Sequence, residues 1–198
     1  MQSIRVKLYL LLAGLLDQPE EVCANFHFSL IAKLLQDAPG DWSCRPILVE
    51  LERDIVEDVH SAAELHAEYV RLFGDEGVAG MVSTRSAGWL EERAGTQARR
   101  TMRSHGMGGE ETGHVIGELE FMAYLIADDQ ASRPIQRDFL ENYLARWVPY
   151  FTQTVRFAAR LPRYRLTAEL LEQAVLNDLQ FLQRESQFGA LTDHLRVA

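Results

Sequence analysis

The chain has 198 residues, of which 47% are hydrophobic and 25% charged, and a formal net charge of −9 with a pI near 5.2. That size and balance fit one soluble globular domain, or one domain of two lobes. The acidity excludes a nucleic-acid binder, which needs a basic footprint to displace counterions, and leaves a basic peptide as a natural partner.

Arg5 and Lys7 precede an apolar run over residues 8–16, which a short signal-peptide core would also show. The run ends in Asp17-Gln18-Pro19-Glu20 with no small-x-small cleavage site, and Ile4, Leu8, Leu11, Leu12 and Leu15 share a helical face. A buried first helix over about 3–16 is therefore expected. Pro19-Glu20-Glu21 opens a second helix with the face Val22, Phe26, Leu30 and Leu34, ending near Gln36. After the turn at 37–41, Pro46 starts a third helix through Leu48, Leu51, Ile55 and Val59. Ser61 caps a fourth over 62–73, with Leu65, Tyr69, Leu72 and Phe73 inward. Residues 74–87 lose the period and form the longest loop, and long loops in compact domains often carry function. A polar fifth helix over about 87–104 lies on the surface.

Gly106-Met107-Gly108-Gly109 then breaks the pattern, and Thr112 is placed to cap the next helix. Val115, Leu119, Met122 and Ile126 form its apolar stripe, widened by Phe121 and Leu125, while His114 and Glu118 project together one turn apart. Arg133-Pro134 begins a long helical stretch with Phe139, Tyr143, Leu144, Trp147, Phe151, Val155 and Phe157 as its apolar face; Pro149 should kink or split it. Residues 161–163 end that stretch, and Thr167 or a neighbour opens the last helix, with Leu170, Leu171, Ala174, Val175, Leu179 and Leu182. No alternating β pattern, repeat or membrane-length apolar run is visible.

The chemistry-bearing patterns are few. Glu57…His60 and Glu111…His114 are two Glu-x-x-His pairs, the spacing used with two further glutamates by di-iron helical bundles. Their setting is poor, because one pair falls at a helix end and the other at the glycine joint. His60, Glu64 and His66 do not all share a face. Cys23 and Cys44 form no CxxC pair, which disfavours zinc and fits free thiols in a reducing compartment. There is no P-loop, no nucleophile elbow and no basic recognition helix, so hydrolase, oxidoreductase and regulator readings have no anchor. The helix end at 68–73, directly before the long loop, reads as core packing that also walls an apolar groove with acidic surroundings.

Two segments together resemble the TorD/DmsD/NarJ family of redox-enzyme maturation chaperones. Tyr69, Leu72 and Phe73 stand where that family has a helix ending in aromatic-x-x-Leu-Phe; His114, Glu118, Leu119, Glu120, Phe121 and Met122 match its histidine and Glu-Leu-Glu-Phe-Met helix. Residues 142–151 resemble its third segment. Thr112-Gly113 replaces the family's Pro-Asp before the histidine, and Ser83 and Trp89 are loose counterparts of its loop element.

The resemblance implies an all-α fold formed by residues 1–198 as a single TorD-like domain. A larger N-terminal lobe, about 1–105, would join a smaller C-terminal lobe, about 112–198, through a glycine-containing hinge at about 106–111. It implies a cytoplasmic chaperone, not an enzyme, with no cofactor and no metal of its own. The chaperone would bind the apo catalytic subunit of a molybdenum-cofactor oxidoreductase, its twin-arginine leader, or both, until cofactor insertion is complete. Tyr69, Leu72, Phe73, Ser83, Trp89, His114 and Glu118 are the candidate partner-binding residues. Nearby acids would meet the arginine pair, and a titrating His114 would make binding vary over roughly pH 6–8. A monomer or a domain-swapped dimer is expected. The alternative is a di-iron carboxylate enzyme using the pairs Glu57/His60 and Glu111/His114.

Overall fold

The apolar spacing of the sequence is realised as a helical assembly around the first helix. The computed structural model describes residues 2–19, 23–57, 60–75, 78–109, 112–128 and 133–196, with the backbone alone for 23–25, 75, 78–79 and 186–196. Helix α1 (Gln2–Leu15) buries Ile4, Leu8, Leu11, Leu12 and Leu15, the face expected of it. It packs chiefly against α6 (Val115–Ala127) and also touches α2 (Cys23–Asp37) and α9 (Pro162–Arg196). Helix α6 is apolar nearly all round, so its Val115, Leu119, Phe121, Met122, Leu125 and Ile126 are all buried. Helices α3 (Arg45–Val56) and α8 (Ala145–Ala158) both lean on α9. Among the described residues no helix is long and apolar enough to cross a membrane.

Several boundaries differ from the sequence expectation for physical reasons. In α2 the buried line runs through Ile31 and Leu34, and Phe26 is left 55% exposed, so the expected face was rotated; Val22 lies outside the described residues. The last helix starts at Pro162 rather than near Thr167: a proline in the first turn forfeits no intrahelical hydrogen bond. The long helical stretch does split, but ahead of Pro149. Helix α7 (Arg133–Phe139) passes into a π-helical segment, Leu140–Leu144, where Ala145 N–H reaches back five residues to the Leu140 carbonyl; α8 then runs through Pro149. Instead of one helix over 87–104 there is a short 3-10 turn, Ser86–Gly88, and then α5 (Glu92–Ser104).

Two helix ends show how local chemistry sets the joints. Helix α4 (Ala62–Phe73) opens on a capping box: Ser61 Oγ accepts from the Glu64 N–H and Glu64 Oε2 accepts from the Ser61 N–H. Ser61→Ala should lower the stability by about 1 kcal/mol, read as a fall in the urea midpoint. Helix α5 closes on a Schellman motif, in which Met107 N–H donates to the Met102 carbonyl and Gly106 N–H to that of Arg103. Gly106 takes φ of 86°, which glycine adopts without strain. A two-residue antiparallel ladder, β1 (Gly74–Asp75) with β2 (Val78–Ala79), follows α4 and pairs Gly74 with Ala79.

Candidate partner-binding site

The long loop after α4 is tied down at both ends. The Met81 and Val82 N–H groups donate to the carbonyls of Arg71 and Leu72, two of the orphan acceptors at the end of α4. Gly80 lies so close to that helix end that a Cβ there would come within 2.3 Å of the Phe73 carbonyl carbon, so only glycine fits. Further along, Arg85 forms an antiparallel bridge with His114; Ser86 N–H donates to the Gly113 carbonyl at 3.0 Å and Val115 N–H to that of Thr84 at 2.9 Å. The loop therefore carries Ser83–Ser86 onto the start of α6.

Helix α6 is capped by His114, not by Thr112: Ile116 N–H donates to His114 Nδ1 at 3.4 Å, while the Thr112 hydroxyl donates to the Gly109 carbonyl. A ring nitrogen that accepts must be unprotonated. Burial first, and then the Arg85 guanidinium, hold the His114 pKa below its ordinary value, against a smaller upward pull from Asp17. The expected titration near neutral pH is thereby moved to lower pH, and His114 is neutral at pH 7.

Glu118 is fully buried beneath this joint. The Tyr143 hydroxyl donates to Glu118 Oε1 and lies 2.5 Å from Ser86 Oγ, which in turn donates to the Gly113 carbonyl at 3.3 Å. These contacts form a hydroxyl chain from the Gly113 carbonyl through Ser86 and Tyr143 to Glu118 Oε1, which accepts at its end. Burial pushes the Glu118 carboxyl up to about 7, outweighing the downward pull of Tyr143, Ser86, Arg99 and Trp147. Glu118 Oε2 and the nearby indole Nε1 of Trp147 are left without hydrogen-bond partners among the described residues.

Of the residues singled out from the sequence, Tyr69 and Leu72 are core and Phe73 is half-buried. Phe73 meets Tyr69, Phe151 and Tyr164 at centroid distances of 5.3, 6.2 and 6.0 Å, and Trp89 meets Phe151 edge-on at 6.2 Å. Trp89 Nε1 donates to the Ser83 carbonyl, which joins these two residues at the surface. The residues thus separate into an aromatic group (Tyr69, Phe73, Trp89, with Ser83) and a polar one around His114 and Glu118. Sequence reasoning missed Ser86, which no motif marks, and Tyr143, which looked like one more member of an apolar face.

Tyr143 also lines a cleft of about 880 Å³ between α5 on one wall and the α7–α8 stretch on the other. The buried Phe139 and Ala98 lie at its floor, and Glu91, Glu92 and Asp138 supply carboxylates alongside the guanidiniums of Arg93, Arg100 and Arg146. No metal set is apparent at either Glu-x-x-His pair: Glu57 is an exposed helix C-cap, Glu111 lies outside the described residues, and no three His, Cys, Asp or Glu gather among the described residues.

Comparison with curated proteins finds no match to the chain. A protein-family model described as nitrate reductase delta subunit matches residues 41–153. That span is more than half of the sequence, and it contains the Tyr69, Leu72 and Phe73 helix end, the loop, the cleft and the His114 joint. The all-α architecture and this match together place the chain in the nitrate reductase delta subunit family, the NarJ/TorD type of maturation chaperone.

Proposed function

We propose that this chaperone holds the apo catalytic subunit of a nitrate-reductase-type molybdoenzyme by its twin-arginine leader, in the cleft between α5 and α7–α8, until the cofactor is loaded. The family match over residues 41–153 carries the coarse reading. The cleft supports the finer one. Among the described residues Glu91 and Glu92 are exposed and engage no cation and Asp138 meets only Asn142, so three carboxylates are available to an arginine pair. The apolar part of the leader would extend toward the partly exposed Phe73 and Trp89. The mechanism is occupancy rather than catalysis, acting in the cytoplasm before export. The glycine joint at 106–111 serves as the hinge between the lobes: the cleft walls come from either side of it, so its movement would set the cleft width.

A synthetic leader carrying two arginines before an apolar run, followed by fluorescence anisotropy, tests this reading. The wild type should bind it, and exchanging both arginines for glutamines should abolish binding. Glu91→Lys with Glu92→Lys and Asp138→Lys should weaken affinity about tenfold or more with little change in Tm, since all three positions are exposed. An unchanged affinity in the triple variant would remove the leader from this cleft.

A further inference from the structure

The end of α8 and the start of α9 carry charge opposite to that of the whole chain. Residues 145–168 contain the five arginines Arg146, Arg156, Arg160, Arg163 and Arg165 and no aspartate or glutamate, in a chain of net charge −9. Glu172 of α9, Asp54 of α3 and Glu68 of α4 are engaged at this corner, Glu172 with Arg156 at 2.6 Å, Asp54 with Arg163 at 2.7 Å and Glu68 with Arg71 at 2.6 Å, while Glu169 stands exposed one turn after Arg165. Arg146, Arg160 and Arg165 are exposed, and among the described residues their guanidiniums meet no carboxylate.

Large apolar side chains stand among these free cations. Tyr150 is 62% exposed and Phe157 94% exposed. Arg146, Tyr150, Gln153 and Phe157 recur at helical spacing and form one outward stripe of α8. Met81, 64% exposed, joins its C-terminal end: Arg71 reaches Met81 Sδ with one nitrogen and donates to the Ala158 carbonyl with another. A covered aromatic ring removes about 150–250 Å² from water, so two unburied rings in one stripe mark a surface that lacks its cover.

We propose that this face of α8 docks an acidic segment of a partner protein, one that offers apolar side chains two helical turns apart as an amphipathic helix does. Charge selects the occupant. A basic leader is repelled here, and an anionic bilayer would meet only two rings and a methionine before the acidic remainder of the chain opposed it. The surface adjoins the leader cleft at Arg146, which lines both, but its Tyr150, Phe157, Arg160 and Arg165 lie outside that lining, so either assignment can fail alone.

The probe is a labelled helical peptide with leucines at i and i+7 and glutamates flanking them, compared with the same peptide carrying lysine for each glutamate. The glutamate peptide should bind at least about tenfold tighter, and more weakly as salt rises. Phe157→Ser and the pair Arg160→Glu, Arg165→Glu should each weaken it about tenfold, with Tyr150→Ser as an independent check at the other end of the stripe. Binding of the twin-arginine leader should be unaffected by all of these variants. Equal affinity for the two peptides, or indifference to the variants, overturns the proposal. So does a wild type that ignores the glutamate peptide but binds phosphatidylglycerol vesicles, or self-associates, through Phe157.

Discussion

Asp178→Asn should destabilise this fold by about 3–5 kcal/mol, the largest single-residue loss expected of any polar position in it. Arg5 and Asp178 are each only 6% exposed, and the carboxylate receives both Arg5 Nε and Nη2 together with the Tyr9 hydroxyl. Arg5 Nη2 also donates to Gln136 Oε1 at 3.0 Å, and Gln136 Nε2 donates to the Leu125 carbonyl at 2.9 Å. Four helices, α1, α9, α7 and α6, thus meet at one buried ion pair. The pair itself adds little beyond what well-packed apolar side chains would, but removing one charge strands the other in a dry interior. The double replacement Arg5→Met with Asp178→Leu should therefore recover most of the loss. A domain of this size is stable by about 5–15 kcal/mol, so Asp178→Asn alone takes a large share. Urea unfolding of the three variants decides the matter: a loss below about 1 kcal/mol for Asp178→Asn would show that water reaches the pair.

Glu118→Gln should act in the opposite direction, and increasingly so as pH rises from about 5 to about 7. The folded protein keeps the Glu118 proton up to about pH 7, whereas the unfolded chain releases it near 4.5. Between those values the folded state binds more protons, so wild-type stability falls as pH rises through the window and levels off above it. An amide at this position still accepts from the Tyr143 hydroxyl through its oxygen and never ionises. At pH 8 Glu118→Gln should be more stable than wild type by about 2–3 kcal/mol, and the two should converge toward pH 5. His114 and His27 have pKa values held low by burial and contribute a slope of the other sign, but they are common to both proteins and cancel in the difference. Parallel stability curves for the two proteins from pH 5 to pH 8, roughly the window in question, would rule out the buried proton.

The α-helical class, the inner face of α1 and the cap at Ser61 were legible because each is set by neighbours within one or two turns. The family was legible from Tyr69, Leu72, Phe73 and the residues around Glu118. What stayed hidden depends on contacts between distant segments. Phe26 has the right spacing for an inner face, yet Ile31 and Leu34 take the core, and periodicity alone does not say which of two apolar lines meets α1. Glu118 read as a polar residue open to a partner because the hydroxyls that enclose it come from Ser86 and Tyr143, which lie 32 and 25 positions away in the chain. Leu72 and Tyr69 read as core packing that also walls a groove, and tertiary packing buries both. The cleft itself could not be anticipated: α5 and α7–α8 belong to segments separated by the whole of α6.

The π-helical turn at Leu140–Leu144 accommodates one residue beyond what an α-helical turn would hold. A helix advances by about 100° per residue, so that extra residue fixes the rotational phase of α7 relative to α8. With it in place, Gln136 points to Arg5 and Leu125, Phe139 packs on Phe121 at 5.0 Å, and Tyr143 still reaches Glu118. Shortening the segment by one residue would swing one set away while the other stayed put, uncoupling the ion pair under α1 from the hydroxyl chain under the loop. At this joint the number of residues, more than their identity, keeps the two halves of the helical stretch in step.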